Sequence, residues 1–83
     1  MSSEPTAPAL RFSMHARLRM AERDLGEEDV RITIASPAST YGPTKRARIE
    51  HYGRISDGRT ITVVTNAERT VVITVIDDSK ELP

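Results

Sequence analysis

The run from Ser13 to Arg23 places His15, Arg19 and Arg23 at intervals of four residues. In a helix such positions stack along one stripe, with successive side chains about 40° apart. Histidine exchanges protons near neutral pH, and arginine clamps phosphate with paired N–H donors. The stripe therefore suits phosphodiester chemistry. His15 would move a proton at a ribose 2′-hydroxyl or a leaving oxygen, while Arg19 and Arg23 neutralise the phosphate and the charge that develops in the transition state. A structural reading stands beside it, in which His15 holds the helix against a sheet, Arg23 pairs with Glu27, and Arg19 pairs with a tail acid such as Asp77.

A second basic set follows at strand spacing. Arg46, Arg48 and Arg54 would protrude from one strand and follow a phosphate backbone, and Tyr52 would stack on a base or donate to phosphate. Exposed arginines on a strand also guard against edge pairing, so this set too has a structural reading. His51 falls between Ile49 and Gly53 on the core-facing side and reads as structural.

Composition narrows the chemistry. There is no cysteine among the 83 residues, and the two histidines have no ligand spacing, so no metal site is expected. Gly42, Gly53 and Gly58 are explained by turns and close packing rather than by a phosphate-binding loop, no Gly-x-Ser-x-Gly elbow occurs, and no cofactor is implied. Twelve basic residues balance twelve acidic ones. Within that balance, Lys45 to Arg59 is locally basic, while acids gather at Glu27-Glu28-Asp29 and at Asp77, Asp78 and Glu81. No apolar run approaches a membrane span and no leader pattern opens the chain, so the expectation is a cytoplasmic protein with no membrane partner.

The length allows one thin core. Residues 1–9, rich in Ser, Thr, Ala and Pro, read as a disordered tail, residues 10–78 as a single α+β domain, and residues 79–83 as a flexible C-terminal tail. Ser13 caps a first helix, whose buried stripe is expected to be Met14, Leu18, Ala21 and Leu25, with Gly26 as its C-cap. Glu27-Glu28-Asp29 opens a second helix with Val30 and Ile34 buried, which Pro37 closes. Ser36 to Thr44 is a loop with a short extended piece near Tyr41.

From Lys45 the period becomes two. Ala47, Ile49, Gly53 and Ile55 alternate with Arg46, Arg48, Glu50, Tyr52 and Arg54. A turn at Ser56-Asp57-Gly58 pairs Gly53 with Ile61, His51 with Val63, and Tyr52 with Thr62. A similar loop at 67–69 would set Ile73 opposite Val63 and Val75 opposite Ile61. The predicted architecture is thus two N-terminal helices packed on one face of a three- to four-stranded antiparallel sheet.

Phe12-Ser13-Met14-His15-Ala16, Arg19-Met20, Glu22-Arg23, Glu28-Asp29-Val30, Gly58-Arg59, Val63-Val64 and Ile73-Thr74-Val75 together resemble a bacterial family of small uncharacterised domains. That family is similar to the RelE/ParE and BrnT toxins of toxin–antitoxin pairs. The resemblance implies a RelE/ParE-like fold and an endoribonuclease or related growth inhibitor, acting with or without the ribosome and silenced by an antitoxin protein. It carries over to His15, Arg19, Arg23 and Thr74. The chain departs from RelE-type toxins in its neutral charge and its acidic ending at Asp77-Asp78. The resulting expectation is metal-independent RNA cleavage, with His15, Arg19 and Arg23 catalytic and with Arg46, Arg48, Tyr52, Arg54 and Thr74 holding the substrate. The alternative is a non-catalytic protein-binding module that docks through the polar sheet face or an exposed sheet edge.

Overall fold

The computed structural model describes residues 10–78, so the two expected tails at 1–9 and 79–83 lie outside the described residues. Its elements run β1 (Arg11–Phe12), α1 (Met14–Glu22), α2 (Glu27–Ala35), β2 (Ser39–Tyr41), β3 (Arg48–Arg54), β4 (Thr60–Asn66) and β5 (Val71–Asp77). The strands form one sheet in the order β1-β5-β4-β3-β2. All neighbours are antiparallel except β1, which lies parallel to β5 and pairs Arg11 with Val71 and Phe12 with Val72. The fold is α+β as expected, but the sheet has five strands and is mixed. β1 is too short to show a period, and backbone bonds from Arg11 N–H to the Thr70 carbonyl (2.8 Å) and from Ser13 N–H to the Val72 carbonyl (3.0 Å) hold it in place.

Ser13 couples this edge to α1. Its hydroxyl donates to the Ile73 carbonyl (2.8 Å) and accepts from Ala16 N–H (3.0 Å), so one side chain both caps the helix and ties its start to β5. The helix is thereby rotated away from the expected stripe. Ala16, Met20 and Leu25 are buried, whereas Met14 is 78% and Leu18 58% exposed, and Ala21 is exposed as well. Small Ala16 at the contact lets the helix lie close to the sheet.

Gly26 does not end α1. The left-handed residue there is Asp24 (φ 56°), with Leu25 N–H bonded to the Met20 carbonyl (2.8 Å) and Asp24 N–H to the Ala21 carbonyl (3.3 Å), a Schellman turn closed by the buried Met20 and Leu25. Gly26 instead precedes α2 as its N-cap, and its N–H donates to Asp29 Oδ2 (3.0 Å). Val30 and Thr33 face inward from α2, with Ile34 partly buried. A Cβ at Gly53 would sit 3.2 Å from Thr33 Cγ2, so the glycine permits close contact between α2 and β3.

The β3–β4 register is the expected one: Gly53 faces Ile61, His51 faces Val63 and Tyr52 faces Thr62, around a turn in which Gly58 takes φ 95°. The β4–β5 register is not. Thr65 pairs with Val72, a bulge follows, and Val63 then pairs with Val75 and Ile61 with Asp77. Asn66 accounts for the first offset, because its Oδ1 accepts from both Thr70 N–H (2.8 Å) and Val71 N–H (3.0 Å) and so ends the loop with a side chain. The bulge puts Val72 rather than Ile73 in the core and brings Val75 back to the helix-facing side. Arg46 lies in a turn before β3, closed by Ala47 N–H to the Thr44 carbonyl (2.8 Å), and so does not share a strand with Arg48 and Arg54.

Candidate phosphate-binding groove

Helix α1 packs along β5, and a groove of about 360 Å³ opens between them. Its walls are His15, Arg19 and Arg23 of α1 and the Thr74–Asp77 stretch of β5. β1 stops beside Val72, so among the described residues no strand covers the outer edge of this stretch of β5, whose other edge pairs with β4. The helical stripe therefore lies where the helix layer meets the edge of the sheet. A side chain there is held by packing and remains open to a ligand.

The imidazole of His15 is exposed and makes no hydrogen bond within the described residues. Arg19 pairs with Glu22 at 3.1 Å, with both side chains about half exposed. Such a surface pair contributes about 0–1 kcal/mol, so a phosphate competes with it easily. The guanidinium of Arg23 has no ion pair among the described residues. Glu27, its expected partner, instead takes Arg17 (3.1 Å) and Arg31 (3.5 Å). The hydrogen bond from Arg17 leads the effects that hold the Glu27 carboxyl below its ordinary pKa. Arg17 and Arg31 also lie over the Phe12 ring, 5.0 and 5.8 Å from its centroid.

Asp77 is engaged by Arg59, whose guanidinium reaches its Oδ2 at 3.3 Å. The same guanidinium donates to the carbonyls of Arg23 and Asp24 (3.0 Å for the latter) and to Asp57 Oδ2 (2.8 Å). Donation to Asp57 is the leading cause of a raised Arg59 pKa. Arg59 thus fastens the end of α1 to β5, a role that the spacing of charges along the chain does not reveal. A charged residue directly after the Asp57-Gly58 turn was the only local sign.

The second basic set lies elsewhere. Thr74 pairs with Val64, which pairs with Glu50, so β3 is two strands from the groove, about 10 Å across the sheet. Arg48 and Arg54 are exposed on β3, and Arg46 is exposed in the preceding turn. The Tyr52 hydroxyl donates to Glu50, and this bond is the first cause of a raised Tyr52 pKa. The structure brings together His15, Arg19, Arg23 and Thr74, and sets Arg46, Arg48, Tyr52 and Arg54 apart from them.

His51 is buried, as expected from its register. Its Nε2 lies 3.0 Å from Thr65 Oγ1, and that hydroxyl donates its own hydrogen to the Asn66 carbonyl (2.9 Å). In the neutral ring Nε2 therefore carries the proton, and Nδ1 has no hydrogen-bond partner among the described residues. Burial pushes the His51 pKa down, and Arg69 adds to the shift. Among the described residues no group of three or more His, Cys, Asp or Glu side chains gathers where a metal ion would bind, and no helix is long and apolar enough to cross a membrane.

These features define a small α+β domain with a basic groove between its first helix and the edge of its last strand. The chain belongs to the family described as Domain of unknown function (DUF4258), whose model matches residues 12–77. No curated protein and no solved structure matches it.

Proposed function

We propose that the protein is a toxin-like endoribonuclease of RelE/ParE-like kind from a bacterial toxin–antitoxin pair. It acts on RNA in the cytoplasm and is restrained there by an antitoxin protein. The observation that carries this reading is the convergence of His15, Arg19, Arg23 and Thr74 on one groove. Its volume lies at the low end of the range for small-ligand sites, about 300–1,000 Å³, which suits a single phosphodiester rather than a folded nucleic acid.

In the reaction the ribose 2′-oxygen bonds to phosphorus as the bond to the 5′-oxygen breaks, leaving a 2′,3′-cyclic phosphate and a free 5′-hydroxyl. Neutral His15 accepts the 2′-hydroxyl proton, or protonated His15 donates to the departing oxygen; water completes the other transfer. Arg19 and Arg23 offset the charge that builds on the phosphoryl oxygens, and the Thr74 hydroxyl helps to seat the phosphate. No step calls for a metal ion. Arg48, Tyr52, Arg54 and Arg46 meet only nucleotides that cross the sheet face, so they contribute to binding rather than to the chemical step.

The test is cleavage of single-stranded RNA by purified protein in EDTA, with and without ribosomes, using wild type and His15→Ala. Cyclic-phosphate ends from wild type, lost in the variant while its circular dichroism is unchanged, support the reading. An inert wild type under both conditions overturns it.

A further inference from the structure

β1 and the groove share one lane along the outer edge of β5. β1 fills its first part, with Arg11 beside Val71 and Phe12 beside Val72, and the chain leaves the lane at Ser13, whose hydroxyl bonds the Ile73 carbonyl. From Thr74 to Ile76 the lane is open among the described residues, and the groove lies there. In a strand paired on one side only, alternate residues turn their N–H and C=O groups away from the partner, which makes the edge a template for another strand. β1 shows that this edge accepts one.

The groove also sets what an added strand must carry. α1 runs alongside β5: Ser13 meets the Ile73 carbonyl at one end, and Arg59 joins the Arg23 carbonyl to Asp77 at the other. Arg19 and Arg23 are thus about 6 Å apart along the groove, and same-face residues of a strand repeat at about 6.7 Å. Carboxylates at every second residue of the added strand would fall beside His15, Arg19 and Arg23 in turn. The residues between them would lie beside Thr74 and Ile76, the latter 40% exposed. Arg19 holds only the exposed Glu22, and Arg23 has no ion pair among the described residues, so both can take a carboxylate. A second copy of this chain does not match, because the other edge of its sheet is β2, Ser39–Tyr41, which has no carboxylate.

We propose that the β5 edge from Thr74 to Ile76 docks an extended segment of another protein as an added strand that fills the groove, with Glu or Asp at every second residue and β-branched residues between. Docking needs only the edge and the arginines. That it silences the protein rests on the reading of the groove as the phosphate site.

The probe is a capped synthetic peptide, Val-Glu-Val-Glu-Val-Glu-Val, set against one of the same composition with its glutamates consecutive, at low salt. The first is expected to shift the His15 ring in NMR and to slow hydrogen exchange at backbone amides within Thr74–Ile76; the second should bind about tenfold more weakly. Arg19→Gln and Arg23→Gln should each weaken the alternating peptide about threefold. Lys45→Gln, in the turn before β3, should not. No binding, equal binding of the two peptides, or binding without protection of those amides overturns the inference, as do arginine variants that bind like wild type. If single-stranded RNA binds there and the peptide does not, the groove serves nucleic acid alone and the inference falls. With the peptide saturating, RNA cleavage should stop, and cleavage that persists overturns the silencing. A protein that binds the peptide yet is inert on RNA overturns the phosphate reading and leaves the docking standing.

Discussion

His15 on α1 and Thr74 on β5 line one groove, although the whole of α2 and three strands separate them in sequence. The juxtaposition arises because α1 packs on β5, the last strand, and not on the strands nearest to it in the chain. His15 is exposed and unbonded within the described residues, so its substitution is expected to leave stability within about 0.5 kcal/mol. His15→Ala should reduce RNA cleavage by about 10²–10⁴-fold, the usual contribution of a general acid or base. Single-turnover kinetics and thermal denaturation of the same sample check the two halves of this prediction.

Arg19 and Arg23 should differ from His15 in their signature. Replacing either by alanine is expected to weaken binding of single-stranded RNA and to lower the slope of log affinity against log salt by about 0.7, the loss of one phosphate contact. Fluorescence anisotropy across a salt series measures it. An unchanged slope would mean that the lost side chain does not touch phosphate.

The sheet face makes the opposite prediction. Because β3 lies two strands from β5, Arg48→Ala and Arg54→Ala should raise KM for long RNA and leave kcat within about twofold, the pattern of binding made equally in ground and transition states. With a dinucleotide substrate both variants should match wild type. A fall in kcat with the dinucleotide would place these arginines at the chemistry instead.

His51 gives the fold a pH dependence of definite sign. Its folded pKa lies below the ordinary value of 6.5 because burial disfavours the charged ring. Between the folded and unfolded values the unfolded chain holds more protons, so stability is complete above about 6.5 and falls as pH drops through that window. Urea denaturation between pH 7 and about 5.5 should show this decline for wild type and a flatter profile for His51→Leu.

Asn66 carries the turn that displaces β5. Its Oδ1 accepts two backbone N–H groups, and its Nδ2 donates to Thr70 Oγ1 at 2.9 Å. Asn66→Ala should cost about 1–3 kcal/mol, because part-buried N–H groups lose their acceptor. A smaller change in the urea midpoint would mean that water replaces the side chain there.

The amino-acid sequence by itself determined the elements whose signals are local. Alternation and the Ser56-Asp57-Gly58 turn defined β3, β4 and their register, since a tight turn fixes pairing over the residues that flank it. Ser13 and Pro37 bounded the helical region, and the four-residue spacing of His15, Arg19 and Arg23 defined a shared stripe. Tertiary structure decided what no local period encodes. It set the rotation of α1, because Ser13 bonds to Ile73 far along the chain, and so exposed Met14 and Leu18 while burying Ala16 and Met20. It added β1, whose two residues form a strand only because β5 offers an edge. It shifted β5 through Asn66 and a bulge, and it chose Arg59 as the partner of Asp77. For the candidate site, the stripe was legible and the groove was not, since a groove needs a second wall. That wall is supplied by the packing of distant segments, whose energies depend on shape and burial across the whole domain.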